Sequence, residues 1–137
     1  MQVDLKRVDN DYHIEAAGTS NVVVNIDGSP SIGGHNKGAR PMELILMGLG
    51  GCASMDVISI LKKQKQEIES YYVTVEAERV DETPAVFKSI NVHFKVSGKL
   101  DESKLKRAID LSMDKYCSVS AMLRDKIVIS YSYELNN

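Results

Sequence analysis

An α+β fold is what this chain predicts, on three observations. Short runs of β-branched residues separated by turn residues open the sequence. A long apolar stretch from Leu44 to Leu61 then lies between Pro41 and the basic segment Lys62-Lys63-Gln64-Lys65. Beyond it come two runs of period two, a capped helical pattern and a final alternating run. A length of 137 residues supports one well-buried core but not two independent ones. The chain is therefore read as a single domain, 1–137, with N-terminal strands over 1–27, a central helix over 41–67, and a second sheet with its helices over 71–137.

The first strands are Val3-Asp4-Leu5-Lys6, Tyr12-His13-Ile14-Glu15 and Val22-Val23-Val24-Asn25-Ile26. Asn10-Asp11 and Gly18-Thr19-Ser20-Asn21 between them are turn chemistry, so an antiparallel meander is the economical arrangement. The loop from Gly28 to Gly38 that follows is rich in Gly, Ser and Asn. It resembles a phosphate-cradling loop only superficially, because no Lys-Ser or Lys-Thr follows its glycines.

Pro41 suits the first helical position, and Glu43 places an acid in the first turn, where the helix field favours it. The lysines after Leu61 suit the other end of the same helix. Asp56 near the middle of the apolar stretch, and the polar continuation, argue against a membrane span. A helix buried on most of its circumference is expected instead. Gly48, Gly50 and Gly51 would each weaken it by about 1 kcal/mol relative to Ala, which points to close packing, at Gly51 in particular, or to access to Cys52.

Tyr71–Val80 and Ser89–Val96 read as a long hairpin turning at Asp81-Glu82-Thr83-Pro84, and the second sheet is expected to be antiparallel. Asp101 caps a helix that turns Leu105, Ala108, Ile109, Leu111 and Ser112 inward. Cys117 opens a further short helix. From Lys126 to Leu135 a last strand alternates, with Ile127, Ile129, Tyr131 and Tyr133 on one face.

Composition narrows the function classes. With 17 Lys and Arg against 19 Asp and Glu, the formal charge is −2, which indicates no nucleic-acid or acidic-membrane partner. The N-terminus carries no secretory pattern, so a cytoplasmic location is expected. Two cysteines make no disulfide framework, and in a reducing compartment such thiols are catalytic, metal-binding or simply buried. His13, His35 and His93 stand apart from both cysteines in sequence and show no ligand spacing, so a structural metal is not expected. His35 is a candidate rim residue, and His13 and His93 are expected to be ordinary sheet residues. No Gly-x-Ser-x-Gly elbow is present, and the cysteines are too far apart for a local Cys-x-x-Cys loop, although a disulfide across two helices remains open. Cys117, near a helix start and beside Lys115, is placed where a thiolate is favoured, whereas Cys52 lies several turns into its helix, where the end field has decayed.

Pro41-Met42-Glu43-Leu44-Ile45-Leu46-Met47-Gly48-Leu49-Gly50-Gly51-Cys52, followed by Met55-Asp56-Val57, resembles the signature helix of the OsmC/Ohr family. Tyr116-Cys117-Ser118-Val119-Ser120 resembles its second cysteine motif, and the resemblance, strongest to the YhfA-like branch, covers nearly the whole chain. It implies an OsmC-like fold assembled as an intertwined homodimer with two interfacial sites. It also implies a thiol peroxidase that reduces organic hydroperoxides, with a dithiol reductant such as a lipoylated protein regenerating it and no haem, flavin, metal or other cofactor required. On that pattern Cys52 falls on the peroxidatic position and Cys117 on the resolving one. The sequence departs from the family at two points. Met42 stands where peroxidatic members carry Glu, leaving Glu43 about 100° further around the helix. The N-terminal hairpin, Ala17-Gly18-Thr19-Ser20-Asn21, offers no catalytic Arg, and Arg40 is the candidate substitute. The alternative is a noncatalytic dimer that binds an apolar small molecule in the same pocket at the subunit interface, lined by Leu49, Met55 and Met122, or one that serves assembly alone.

Overall fold

A computed structural model describes residues 1–136. The chain forms two compact units, Met1–Ile45 and Leu46–Asn137. In the first, β1 (Asp4–Arg7), β2 (Ile14–Ala17) and β3 (Val24–Ile26) form the expected antiparallel meander in the order β1-β2-β3. Its turn at Gly18–Asn21 closes by the Asn21 amide donating to the Gly18 carbonyl at 3.1 Å, with Asn21 at φ 60°. The meander buries little within the unit. Ala16 is buried, whereas Val3, Leu5, Val22, Val23 and Val24 are exposed.

The glycine-rich loop is organised by a residue that the motif reading passed over. Asp27 is only 1 % exposed, and its carboxylate accepts from the amides of Gly28 at 2.7 Å and of His35 and Lys37 at 3.1 Å each. Three charge-assisted bonds replace the water that burial removed. Burial opposes ionisation of Asp27, but the Lys37, Gly28 and His35 amides outweigh it and hold the carboxyl below the usual aspartate range. The loop is drawn so tight that a Cβ on Gly34 would fall 2.0 Å from the Gly28 carbonyl oxygen.

α1 spans Pro41–Lys63, four residues shorter at its C-terminal end than expected. The lysine- and glutamine-rich continuation has adequate helix propensity and no glycine, so composition gave no stop. The helix ends because Lys65 takes φ 57° while its amide bonds the Lys62 carbonyl and the Gln66 amide reaches the Leu61 carbonyl at 2.9 Å, a Schellman closure. The expected burial around most of the helix is not found either. Leu49, Gly50, Ala53, Val57 and Leu61 are buried, a stripe of mostly four-residue spacing, while Met47 and Met55 are exposed. Close packing falls on Gly50, where a Cβ would lie 3.0 Å from Val75 Cγ2, and not on Gly51 or Gly48, where nothing lies within 4 Å.

In the second unit, β4 (Glu67–Arg79) and β5 (Phe87–Lys99) form the long antiparallel hairpin, and β6 (Val128–Asn136) pairs with β5 in parallel. The second sheet is therefore mixed, in the order β4-β5-β6, and not antiparallel throughout. A strand's alternation carries no information about its direction; the helical connection over residues 100–127 is what returns β6 parallel to β5. Central β5 buries Ile90, Val92, Phe94 and Val96, and β6 turns Ile129, Tyr131 and Tyr133 to its more buried face as expected. In the connection, α2 (Glu102–Leu111) is capped by Asp101, whose side chain accepts from the Lys104 amide, and it buries Leu105, Ala108 and Ile109. One wide π-helical turn, Ser112–Tyr116, follows, and then α3 (Ser118–Leu123).

Candidate active site

Cys52 and Cys117 meet in the second unit. Cys52 and Asp56 stand four residues apart on α1, hence on one face, while Cys117 ends the π turn and caps α3. The sulfurs of Cys52 and Cys117 and a carboxylate oxygen of Asp56 all lie within 4.8 Å of one another. Both cysteines are free thiols, Cys52 half-buried and Cys117 only 1 % exposed. Fully buried Ser112 ties α2 to this face of α1, with its Oγ 3.0 Å from Asp56 Oδ2 and 3.2 Å from the Ala53 carbonyl oxygen.

Cys117 does not behave as its place at a helix start suggested. Burial pushes its thiol up to about 11, the adjacent Cys52 adds to the rise, and the Ser120 amide, 3.4 Å from the sulfur, opposes it without prevailing. A six-residue helix supplies too weak a field to outweigh loss of solvent. Lys115 does not rescue the thiolate; its Nζ lies 5.4 Å from the centre of the Tyr116 ring.

Arg40 and Glu43 belong to the first unit and hold the start of α1. Glu43 Oε1 accepts from the Arg40 amide at 2.8 Å, half of a capping box, while the Arg40 guanidinium donates to the Gly38 carbonyl at 3.1 Å and to Asn36 Oδ1 at 2.6 Å. The histidines are occupied elsewhere. His13, just ahead of β2 and not in the sheet as expected, has its Nε2 2.9 Å from Asn25 Oδ1, whereas His93 is the expected sheet residue, with Nδ1 2.8 Å from Ser132 Oγ. His35 Nε2 lies 2.6 Å from Asp11 Oδ2, a bond that raises the imidazole pKa, and with Asp9 these two form a second close group of donor atoms. Of the residues expected to line an apolar pocket, Leu49 is in the core, while Met55 and Met122 are 68 % and 75 % exposed on the single chain.

Comparison with known proteins places this geometry in a family. The family described as OsmC-like protein matches residues 34–132, a span that contains both cysteines. The chain belongs to the OsmC-like family. Protein YhfA of Escherichia coli K12 is 45% identical over 101 residues, covering 73% of this chain and 75% of that one. A hypothetical protein from Aquifex aeolicus superposes with a TM-score of 0.81 at 28% identity, over 99% of this chain and 97% of that one. A Legionella pneumophila protein described as an organic hydroperoxide resistance protein OsmC, predicted redox protein, shares the fold with a TM-score of 0.70 at 18% identity, covering 98% and 97% of the two chains. The α+β OsmC-like architecture expected from the sequence is the one observed, with the second sheet corrected to mixed.

Proposed function

We propose that this OsmC-like protein is a thiol-dependent reductant of organic hydroperoxides in which Cys52 attacks the peroxide and Cys117 resolves the product. The approach of two free sulfurs from separate elements to within 4.8 Å supports this reading. Access supports the assignment of roles, since half-buried Cys52 is open to a substrate that buried Cys117 is not. The Cys52 thiolate takes the terminal peroxide oxygen, giving a sulfenic acid and, after protonation, an alcohol. Cys117 then displaces water from that sulfenic acid to form a disulfide, and an external dithiol reduces the disulfide by exchange, restoring both thiols. Arg40 enters as the candidate cation for the peroxide, and Glu43 as the acid that fixes the Arg40 backbone.

The working form is proposed to be a homodimer in a reducing cytoplasm. Support comes from the exposed apolar face of α1 at Met47 and Met55 and from exposed Val3, Leu5 and Val22 in the meander, surface that a second copy would cover. The test is mass spectrometry of reduced protein after a stoichiometric pulse of cumene hydroperoxide, with hydrogen peroxide alongside. A Cys52–Cys117 disulfide that forms faster with the organic peroxide is expected, and thiols unchanged after many minutes would remove the reading. Arg40→Ala is expected to slow the reaction, whereas unchanged rates would confine Arg40 to the loop and the helix start.

A further inference from the structure

The thiol cluster has an electrical character that disulfide chemistry leaves unused. Cys52, Asp56 and Cys117 each become an anion on losing a proton. A divalent cation bound among them would be neutralised by these anions, and it deprotonates a thiol outright on coordination. The carboxylate is also held in place. The buried Ser112 hydroxyl reaches Asp56 Oδ2 at 3.0 Å, the kind of outer hydrogen bond that fixes a ligating carboxylate.

We infer that Cys52, Asp56 and Cys117 form a binding site for a thiophilic divalent cation, with Zn²⁺ the best match to two sulfurs and one carboxylate oxygen. Tetrahedral Zn–S bonds put two sulfurs about 3.8 Å apart, a separation that falls inside the 4.8 Å span of the trio. The fourth position is left to water or an outside ligand. Binding forms two metal–sulfur bonds, releases two protons to solvent and changes no oxidation state. The site therefore loads only when both thiols are reduced, and any oxidant that joins them withdraws two of its three ligands. The inference shares its sulfurs with the proposed redox function but does not depend on peroxide turnover.

Reduced, metal-free protein with both thiols verified by chemical titration would be titrated with Co²⁺ and then Zn²⁺. One Co²⁺ per chain is expected, with a thiolate-to-cobalt charge-transfer band and the intense visible bands of tetrahedral coordination, all displaced by Zn²⁺. Asp56→Asn preserves size and an acceptor for Ser112 and should weaken Zn²⁺ binding at least about tenfold. Cys52→Ser should abolish the charge-transfer band, and His35→Ala, which removes the other close donor group, should leave it intact. Absence of the band in protein with two verified thiols, equal Zn²⁺ affinity in Asp56→Asn, or loss of the band in His35→Ala would each overturn the inference. Peroxide-driven disulfide formation, measured separately on metal-free protein, fails or succeeds independently of these readouts.

Discussion

Asp27 in the first unit and Cys117 in the second are both about 1 % exposed and both ionisable, yet their surroundings move them in opposite directions. Asp27 receives three backbone amides and keeps its charge below the usual aspartate value. Cys117 receives one amide at the longer distance of 3.4 Å and is pushed toward the neutral thiol. Burial alone therefore does not set the charge of a group; the donors that replace the lost water do.

The largest expected effect is on chemical reactivity. A rise from 9.0 to about 11 leaves Cys117 with roughly 100-fold less thiolate near neutrality than an ordinary cysteine. Alkylation of Cys117 in a Cys52→Ser background, which keeps the burial that is the largest cause of the rise, should still be slower than that of a model thiol and should go on accelerating as pH climbs past 9.0. Equal rates would erase the contrast.

Next in size is Asp27→Ala, which leaves the amides of Gly28, His35 and Lys37 without their acceptor. Hydrogen exchange at those three amides should quicken at least about tenfold, with little change at the β5 amides. Unchanged protection would mean that glycine packing alone holds the loop.

The opposed shifts also predict opposed pH sensitivities. Asp27 has a lowered folded value, so its contribution is present above the ordinary 3.8 and is lost as pH falls through the folded value. Cys117 has a raised folded value, so its contribution is complete below 9.0 and is lost as pH climbs toward about 11. Residue-resolved exchange should show the loop amides loosening first in acid and the α3 amides first in alkali, and the reverse order would contradict both assignments.

The smallest effect separates capping from redox chemistry. Cys117→Ala removes the acceptor for the Ser120 amide and should cost about 1 kcal/mol in denaturant unfolding, whereas Cys117→Ser supplies a preferred cap and should stay close to the parent. Both variants lose the disulfide with Cys52.

What could be read in advance was whatever local chemistry encodes. Turn residues delimited the meander, Pro41 and Glu43 marked the start of α1, and Asp101 marked α2. The two cysteines stood out as the site's candidates, and the structure brings them together. Relations that no short pattern carries were missed. Asp56 was visible as a charge within an apolar helix, and its four-residue spacing from Cys52 put it on the same face, but that it joins the thiols depends on how α2 and the π turn dock. Asp27 lay unmarked at the edge of a glycine loop because three amides converge on it only once the loop has folded. The end of α1 escaped because Lys65 does what glycine usually does. The bare surface at Gly48 and Gly51 ran against the expectation of close packing, though not against that of access to Cys52, because glycine signals close approach without saying to what.

The parallel pairing of β6 with β5 also bears on the order of folding. The β4–β5 hairpin joins neighbours in sequence, whereas β6 registers on β5 only after the whole connection over residues 100–127 has been gathered in, a closure whose entropy is spent before its contacts return anything. Pulse-labelled refolding should accordingly protect the hairpin amides before those of β6. Cys117 lies within that connection, so on this order it comes to rest beside Cys52 late in folding, and the two sulfurs become neighbours as the second unit completes itself.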